Sequence, residues 1–137
     1  LRELSANDSA VLGLLTGNFS AGARIKLSAH GLGGYFRFGV FGDDTAVRNE
    51  MPAIARERIR GLLGADIGFG EMVIIGDTVH DIECGKNAGA VSIAVGTGWT
   101  EERELVSMNP DFYFPDLSDK DSVLSAIFDG RGPGTAE

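Results

Sequence analysis

Two acidic residues, Asp77 and Asp81, follow an apolar segment at a spacing that suits metal chemistry. The segment, residues 72–75, predicts a buried strand, so Asp77 falls at the carboxyl end of that strand, where open α/β sheets bind ligands. Thr78 predicts the N-cap of a helix over residues 79–88, and the first turn of this helix would place Asp81 close to Asp77. Two carboxylates this close bind a proton or a cation such as Mg²⁺. The alternative is that one only caps the helix and the other only favours its dipole.

Small and polar residues also follow two other predicted strands. Thr16, Gly17 and Asn18 follow the first of them, and the glycine-rich residues 96–98 follow the other. In a parallel sheet these strand ends share one edge with Asp77, so glycine N–H groups can approach an anion there, and Thr16 and Asn18 can donate hydrogen bonds. This mixture of donors suits a phosphoryl group. For residues 96–98 an ordinary strand-to-helix turn is the favoured interpretation.

A phosphoryl site also needs a fixed positive side chain, and two residues qualify. Arg48 lies in a predicted loop, next to the N-terminus of a helix predicted over residues 50–63. Lys26 lies on the helix predicted after Thr16, where most charged side chains are merely solvated. Arg48 is therefore the better placed candidate, and Lys26 remains the alternative.

The elements that would position these residues alternate between strands and helices. Predicted strands cover 10–15, 35–41, 72–75, 91–95 and 112–114, and predicted helices cover 20–30, 50–63, 79–88, a segment from Thr100, and a segment from Ser118 to about 128. This alternation predicts an α/β fold, a Rossmann-like, doubly wound parallel sheet with helices on both faces. We expect one domain portion over residues 1–129 and a flexible tail over 130–137, which is rich in glycine.

The composition is that of a globular chain, with 137 residues, 43% apolar content and a net charge of −8. The negative charge argues against nucleic acid and anionic membrane as partners, because both recruit clustered Lys and Arg. No segment is long or apolar enough to predict a membrane span. The single cysteine, Cys84, cannot form an intrachain disulfide, so we expect it to pack inside the fold of a cytoplasmic protein.

These motifs together resemble the haloacid dehalogenase-like hydrolase superfamily, and within it the phosphoglycolate-phosphatase-like hydrolases. The resemblance rests on residues 14–18, on Arg48, and on residues 74–81 with Gly89-Ala90 downstream. It extends over most of the chain, from about Val11 to Phe128. The Gly-Asp-Thr-x-x-Asp segment is fairly specific when it follows a strand, whereas Thr-Gly-Asn alone is a weak signal.

The resemblance implies hydrolysis of a phosphate monoester, a small phosphorylated metabolite, through an aspartyl-phosphate with Mg²⁺ as cofactor. Thr16 would hydrogen-bond the phosphoryl group, and Arg48 would take the basic role that Lys usually fills in this superfamily. Asp77 would ligate Mg²⁺, and Asp81 would hold a metal-bound water or support the site. Halide-removing relatives lack a metal, so the acidic pair favours a phosphatase.

The nucleophile motif of that superfamily, Asp-x-Asp-Gly-Thr after an apolar strand, does not occur in the sequence. Asp43-Asp44-Thr45 has the wrong spacing, and no apolar strand runs directly into Asp119 to Ser122. We therefore expect this chain to be the C-terminal part of a longer hydrolase. The upstream part would supply a helical cap and the nucleophile strand, which in the resembled fold lies between the Thr16 and Asp77 strands. A closed sheet with those two strands adjacent would contradict this expectation.

Two other functions stay open at this point. A phosphomutase of the same fold would share these residues, because the cap decides between the two reactions. A non-catalytic module that binds phosphate or a metal would keep the site without turnover. The sequence does not specify the substrate, since the contacts that select it would lie in the cap.

Overall fold

The computed structural model describes residues 1–130, in which strands and helices alternate along the chain. The strands are β1 (Gly13–Leu15), β2 (Phe38–Val40), β3 (Val73–Gly76), β4 (Val91–Val95) and β5 (Phe112–Phe114). The α-helices are α1 (Arg2–Ser5), α2 (Ser20–Ala29), α3 (Met51–Leu63), α4 (Val79–Ala88), α5 (Glu102–Ser107) and α6 (Lys120–Asp129). Short 3₁₀ turns cover Gly33–Tyr35, Arg48–Glu50 and Phe69–Glu71. Of the tail predicted over residues 130–137, all but Gly130 lies outside the described residues.

The strands pair in parallel, as expected for an α/β fold, but they form two sheets and not one. β1 pairs with β2, and β4 lies between β3 and β5. Within residues 1–130, no ladder of hydrogen bonds joins β1 to β3. The chain correspondingly divides into two compact units, Leu1–Ile67 and the residues from Gly68 onward. The α/β class with parallel strands is confirmed, and the single domain portion over residues 1–129 stays a prediction.

The first unit packs α3 against the two-stranded sheet. Met51, Ala55 and Ile59 recur every four residues, so their side chains share one face of the helix, and all three are buried. Pro52 lies in the first turn, where its missing N–H costs no helical hydrogen bond. Gly64 ends the helix in the left-handed conformation, with φ of 65°. With its ends and its buried face defined in this way, α3 is a fixed anchor for the segment that precedes it.

The second unit builds its core around β4, the central strand of the three-stranded sheet. Ile82 on α4, Ala94 on β4 and Leu105 on α5 form a buried cluster, with Met108 and Tyr113 packed against it. A strand with neighbours on both edges and a helix packed on it buries most of its side chains. This burial explains why β4 is apolar at every position but Ser92.

α4 begins and ends where the sequence predicted. Thr78 is its N-cap, and Gly89 ends it in the left-handed conformation, with φ of 78°. Cys84, inside this helix, is fully buried, so the packing interpretation of that residue is confirmed.

Several other element ends differ from the sequence-based expectation: β1 begins at Gly13 and not at residue 10, and α5 begins at Glu102 and not at Thr100. Two further differences have local reasons. β2 is confined to three residues, because Gly33–Tyr35 forms a 3₁₀ turn just before it. The last helix is capped by Asp119 and not by Ser118. The Asp119 carboxylate accepts hydrogen bonds from the N–H (3.3 Å) and the hydroxyl (2.7 Å) of Ser122.

Over residues 1–130, no helix has the length and apolar character needed to cross a membrane.

Candidate functional site

The turn after β1 is held by hydrogen bonds that involve Thr16 and Asn18. The Thr16 N–H donates to the carbonyl of Val40 on β2 (3.0 Å), and the Asn18 N–H donates to Oγ1 of Thr16 (3.1 Å). The Gly42 N–H donates to the carbonyl of Asn18 (2.8 Å). A hydroxyl can accept and donate at once, so the Thr16 proton stays available to a ligand. Both residues lie at the carboxyl end of β1, and their role in binding phosphate stays a prediction.

Gly42 brings the loop after β2 into direct contact with this turn. A Cβ at position 42 would overlap the carbonyl oxygen of Gly17 and would lie 3.1 Å from Cδ1 of Phe19. Any other residue would have to displace backbone atoms, which unlike a side-chain end cannot swing away. Residues 16–19 and 41–45 are therefore in close backbone contact.

Asp43 ties the same loop to the start of α2. Its carboxylate accepts hydrogen bonds from the N–H (2.9 Å) and the hydroxyl (2.8 Å) of Ser20. These bonds, the hydroxyl bond first, hold the pKa of Asp43 below its usual value, because they stabilise the ionised form. The sequence predicted a helix from residue 20 but not this partner for its first N–H groups. The helix begins at Ser20, and a carboxylate from a distant loop satisfies its first N–H.

Asp44 pairs with Arg58 on α3. The guanidinium donates two hydrogen bonds to the carboxylate (2.6 and 2.9 Å), and the Phe41 N–H donates a third (2.9 Å). Arg58 also donates to the carbonyl of Gly39. The Arg58 bonds, followed by that of Phe41, lower the pKa of Asp44 to about 2. Asp43 and Asp44, which the sequence considered and set aside as nucleophiles, thus fix the loop that shapes the pocket described next.

A pocket of about 240 Å³ opens where these loops meet the turn before α3. It is lined by Gly17, Phe19, Gly42, Thr45, Ala46, Arg48 and Met51. Nη1 of Arg48 lies 3.5 Å from the point that a Cβ on Gly17 would occupy, so the guanidinium faces glycine backbone. At ~30 Å³ per water molecule, the pocket has room for a phosphoryl group and part of its ester. The structure thus brings together Gly17 and Arg48, two of the residues predicted for phosphate chemistry.

Lys26, the alternative cation, does not line this pocket. It is exposed in the last turn of α2, about 9 Å along the helix from Ser20 at a rise of about 1.5 Å per residue. Arg48 is half-buried in a 3₁₀ turn, where the sequence predicted a loop, and it leads directly into α3. Of the two candidate cations, Arg48 therefore lines the pocket and Lys26 does not, and the role of either toward phosphate stays a prediction.

In the second unit, Asp77 follows β3 and lies against the backbone of Gly98. A Cβ at position 98 would overlap Oδ2 of Asp77 and would lie 2.7 Å from its Cγ. The backbone at position 98 therefore lies closer to Asp77 than it could if residue 98 carried a side chain. The ordinary-turn interpretation of residues 96–98 did not include this contact, which only the packing of two strand ends reveals.

Asp81 is buried, with 7% of its surface exposed, and forms a reciprocal cap with Thr78. Oδ2 of Asp81 accepts hydrogen bonds from the N–H (3.1 Å) and the hydroxyl (2.8 Å) of Thr78, and the Asp81 N–H donates to Oγ1 of Thr78 (3.3 Å). Its side chain also packs on Gly76, where a Cβ would overlap it. The cap predicted from sequence is therefore present, and it holds Asp81 in the first turn of α4.

The acidic pair fits a hard cation that takes few protein ligands. No group of three or more His, Cys, Asp or Glu in the described part of the chain could hold a metal ion. Mg²⁺ does not need such a cage, because it binds through one or two carboxylates, substrate phosphate and water. Asp77, half-buried at the strand end, suits a direct ligand, whereas Asp81 has one oxygen committed to Thr78. His80 is exposed on α4 and contributes no second cluster.

Comparison with known proteins gives relatives for most of this chain. The HAD-hydrolase-like family model matches residues 49–120. A pyrophosphatase from Bacillus velezensis is 30% identical over 110 residues, covering 79% of this chain and 49% of its own length. A phosphoglycolate phosphatase from Vibrio parahaemolyticus is 29% identical over 99 residues, covering 72% of this chain and 42% of its own length. The chain therefore spans about half the length of the curated relatives it matches.

Solved structures share the fold at low sequence identity. A haloacid dehalogenase-like family hydrolase from Streptococcus pneumoniae has a TM-score of 0.77 at 18% identity, over 90% of this chain and 55% of its own. A proposed HAD-hydrolase from Bacillus subtilis, solved bound to magnesium, has a TM-score of 0.61 at 19% identity, over 90% and 53%. The family model alone covers slightly more than half of the 137 residues. The resemblance seen in the sequence motifs is confirmed, and the chain belongs to the haloacid dehalogenase-like hydrolases.

Proposed function

We propose that this chain is the C-terminal part of a Mg²⁺-dependent phosphatase that hydrolyses small phosphate monoesters. The observation that carries the proposal is the position of Asp77, at the carboxyl end of β3 against Gly98, with Asp81 held by Thr78 one turn into α4. A carboxylate so placed supports metal-assisted phosphoryl chemistry better than halide removal. The names of the curated relatives, a pyrophosphatase and phosphoglycolate phosphatases, point to the same class of reaction.

The first unit would bind the phosphoryl group. Arg48 would neutralise its negative charge, and Gly17 leaves room for the oxygens to approach the guanidinium. The Thr16 hydroxyl would donate a hydrogen bond from the turn after β1, and Asn18 would add an amide donor. Such a set of donors would suit a charged tetrahedral group better than a neutral ligand.

The second unit would hold the cation. Asp77 would be the direct ligand, and Asp81 would support a metal-bound water or keep the strand end in place. Bound there, Mg²⁺ would supply the positive charge that metal-assisted phosphoryl chemistry requires. The role of Asp81 is that of a positioning residue, because its Oδ2 already accepts two hydrogen bonds from Thr78.

The nucleophile would come from upstream sequence as an aspartate. Its carboxylate would attack phosphorus, the ester oxygen would leave with a proton as the alcohol, and water would then hydrolyse the aspartyl-phosphate. Two observations support an upstream strand. β1 and β3 have no ladder between them in residues 1–130, and the chain spans about half the length of its curated relatives. A cytoplasmic location belongs to the same proposal, since Cys84 is buried as a free thiol, as expected in a reducing compartment.

The test is p-nitrophenyl phosphate hydrolysis with Mg²⁺ and with EDTA, by this chain and by the protein that carries its natural upstream sequence. We expect EDTA-sensitive turnover in the longer protein alone, and its loss in Asp77→Asn. Asp121→Asn is the control, because it removes the same charge from an exposed aspartate in the first turn of α6.

Three results would contradict the proposal. Turnover by the 137-residue chain itself would place the nucleophile within it. Mg²⁺ binding without turnover in either form would indicate the non-catalytic module. Conversion of a sugar phosphate into its isomer without release of phosphate would indicate a phosphomutase.

A further inference from the structure

Phe19 lines the Arg48 pocket while 68% of its surface stays exposed. We propose that Phe19 is a specificity-determining residue that stacks on the leaving group of the substrate. The preferred substrates are then phosphate monoesters whose leaving group is aromatic or another planar apolar group. This inference rests on the phosphatase function proposed above and adds a substrate class to it.

The backbone on both sides of Phe19 is fixed. On one side, the carbonyl of Asn18 accepts the Gly42 N–H at 2.8 Å. On the other, the N–H and hydroxyl of Ser20 donate to Asp43 at 2.9 and 2.8 Å. The exposure of the ring is therefore a consequence of defined local structure. A rigid aromatic ring loses little conformational entropy when a ligand covers it.

The ring itself rests on glycine. Cδ1 of Phe19 lies 3.1 Å from the point that a Cβ on Gly42 would occupy, so this edge of the ring lies close to the Gly42 backbone. The rest of the ring stays in solvent and borders the pocket. An aromatic surface held in this way offers an apolar group a stacking partner.

The pocket combines two chemistries side by side. Arg48 supplies positive charge, whereas Phe19, Ala46 and Met51 supply apolar atoms. An anion that carries an apolar substituent would contact the charged and the apolar lining residues together. A small polar ester such as glycolate phosphate would contact Arg48 but offer little to the apolar lining residues. The pocket thus favours an aryl ester over a short hydroxy acid ester.

The experiment compares two non-hydrolysable ligands that differ only in the apolar group, phenylphosphonate and methylphosphonate. Calorimetry on the protein with its natural upstream sequence gives the ratio of their dissociation constants. We expect a preference of about tenfold for the phenyl ligand, reduced to about twofold or less in Phe19→Ala and retained in Phe19→Tyr. Ile25→Ala is the control, because Ile25 is 71% exposed on α2 and does not line the pocket.

Turnover separates this inference from the proposed function. kcat/KM for phenyl phosphate should fall in Phe19→Ala mainly through KM, and by more than for methyl phosphate. An unchanged phenyl preference in Phe19→Ala, or an equal loss for both ligands, would overturn the inference. Hydrolysis of other monoesters without binding of either phosphonate would overturn it and leave the phosphatase function standing. Absence of both hydrolysis and phosphonate binding would overturn both.

Discussion

The carboxylate of Asp77 rests on the backbone of Gly98, with Cγ only 2.7 Å from the point where a Cβ at position 98 would be. The two residues follow neighbouring parallel strands, β3 and β4, so their contact is made at the shared carboxyl edge of the sheet. A glycine at position 98 therefore decides where the Asp77 oxygens point.

Gly98→Ala should impair the metal site without unfolding the protein. The added methyl group overlaps Oδ2 and Cγ of Asp77, which can rotate away, and it lies 2.9 Å from Cβ of Asp77, which requires a small backbone shift. We expect the free energy of unfolding to change by less than about 1 kcal/mol and Mg²⁺ affinity to fall about tenfold. Calorimetric Mg²⁺ titration measures the second effect. Gly70→Ala is the matched control, since a Cβ there meets nothing within 4 Å.

Gly42→Ala should instead destabilise the first unit. The methyl group would overlap the Gly17 carbonyl oxygen, and a backbone atom cannot turn aside. We expect a loss of about 1–3 kcal/mol in the free energy of unfolding, measured by urea denaturation. Gly22→Ala should instead raise the free energy of unfolding, because position 22 is exposed in α2 with open space around it. Alanine favours a helix over glycine by about 1 kcal/mol. Equal effects at both positions would contradict the packing of residues 16–19 on 41–45.

Arg48→Ala should weaken phosphate binding far more than Lys26→Ala does. Arg48 faces the pocket beside Gly17, whereas Lys26 is exposed on α2. We expect kcat/KM of the protein with its upstream sequence to fall about 100-fold in Arg48→Ala and to stay within about twofold in Lys26→Ala. Arg48→Lys should recover part of the loss, since it restores the charge but not the planar fork. The reverse order would assign the cationic role to Lys26.

The Asp44–Arg58 pair should stabilise the fold in a pH-dependent way. Its hydrogen bonds lower the pKa of Asp44 from 3.8 to about 2, so the folded state favours the ionised carboxylate. The stabilisation is fully present above the unfolded-state pKa and is lost as the pH falls through the folded-state value. The difference in unfolding free energy between wild type and Asp44→Asn should therefore shrink between about pH 5 and pH 2.

Carboxyl NMR titration checks the cause of that shift. In Arg58→Leu the pKa of Asp44 should return toward 3.8, with the Phe41 N–H as the remaining donor. A value that stays near 2 in this variant would show that Arg58 is not responsible.

Local signals in the sequence predicted the first and last residues of several elements correctly. The bounds of α4, from Val79 to Ala88, follow from Thr78 at one end and Gly89 at the other, because caps act within one turn. β4 and β5 also match their predicted bounds, since each is bracketed by glycine, proline or a polar cluster. The motif at residues 74–81 indicated the superfamily for the same reason, because its spacing is set within one strand and one turn.

The sequence by itself determined the alternation of strands and helices, the capping of α4 by Thr78, and the superfamily to which the chain belongs. Only the tertiary structure decided that Arg48 and not Lys26 lines a pocket with Gly17, that Asp43 anchors Ser20 across 23 residues, and that Gly98 meets Asp77. The physical reason is the separation in sequence over which each kind of interaction acts. Caps and periodicity depend on neighbours within a few residues, whereas these contacts exist only once parallel strands have brought distant loops to a common edge.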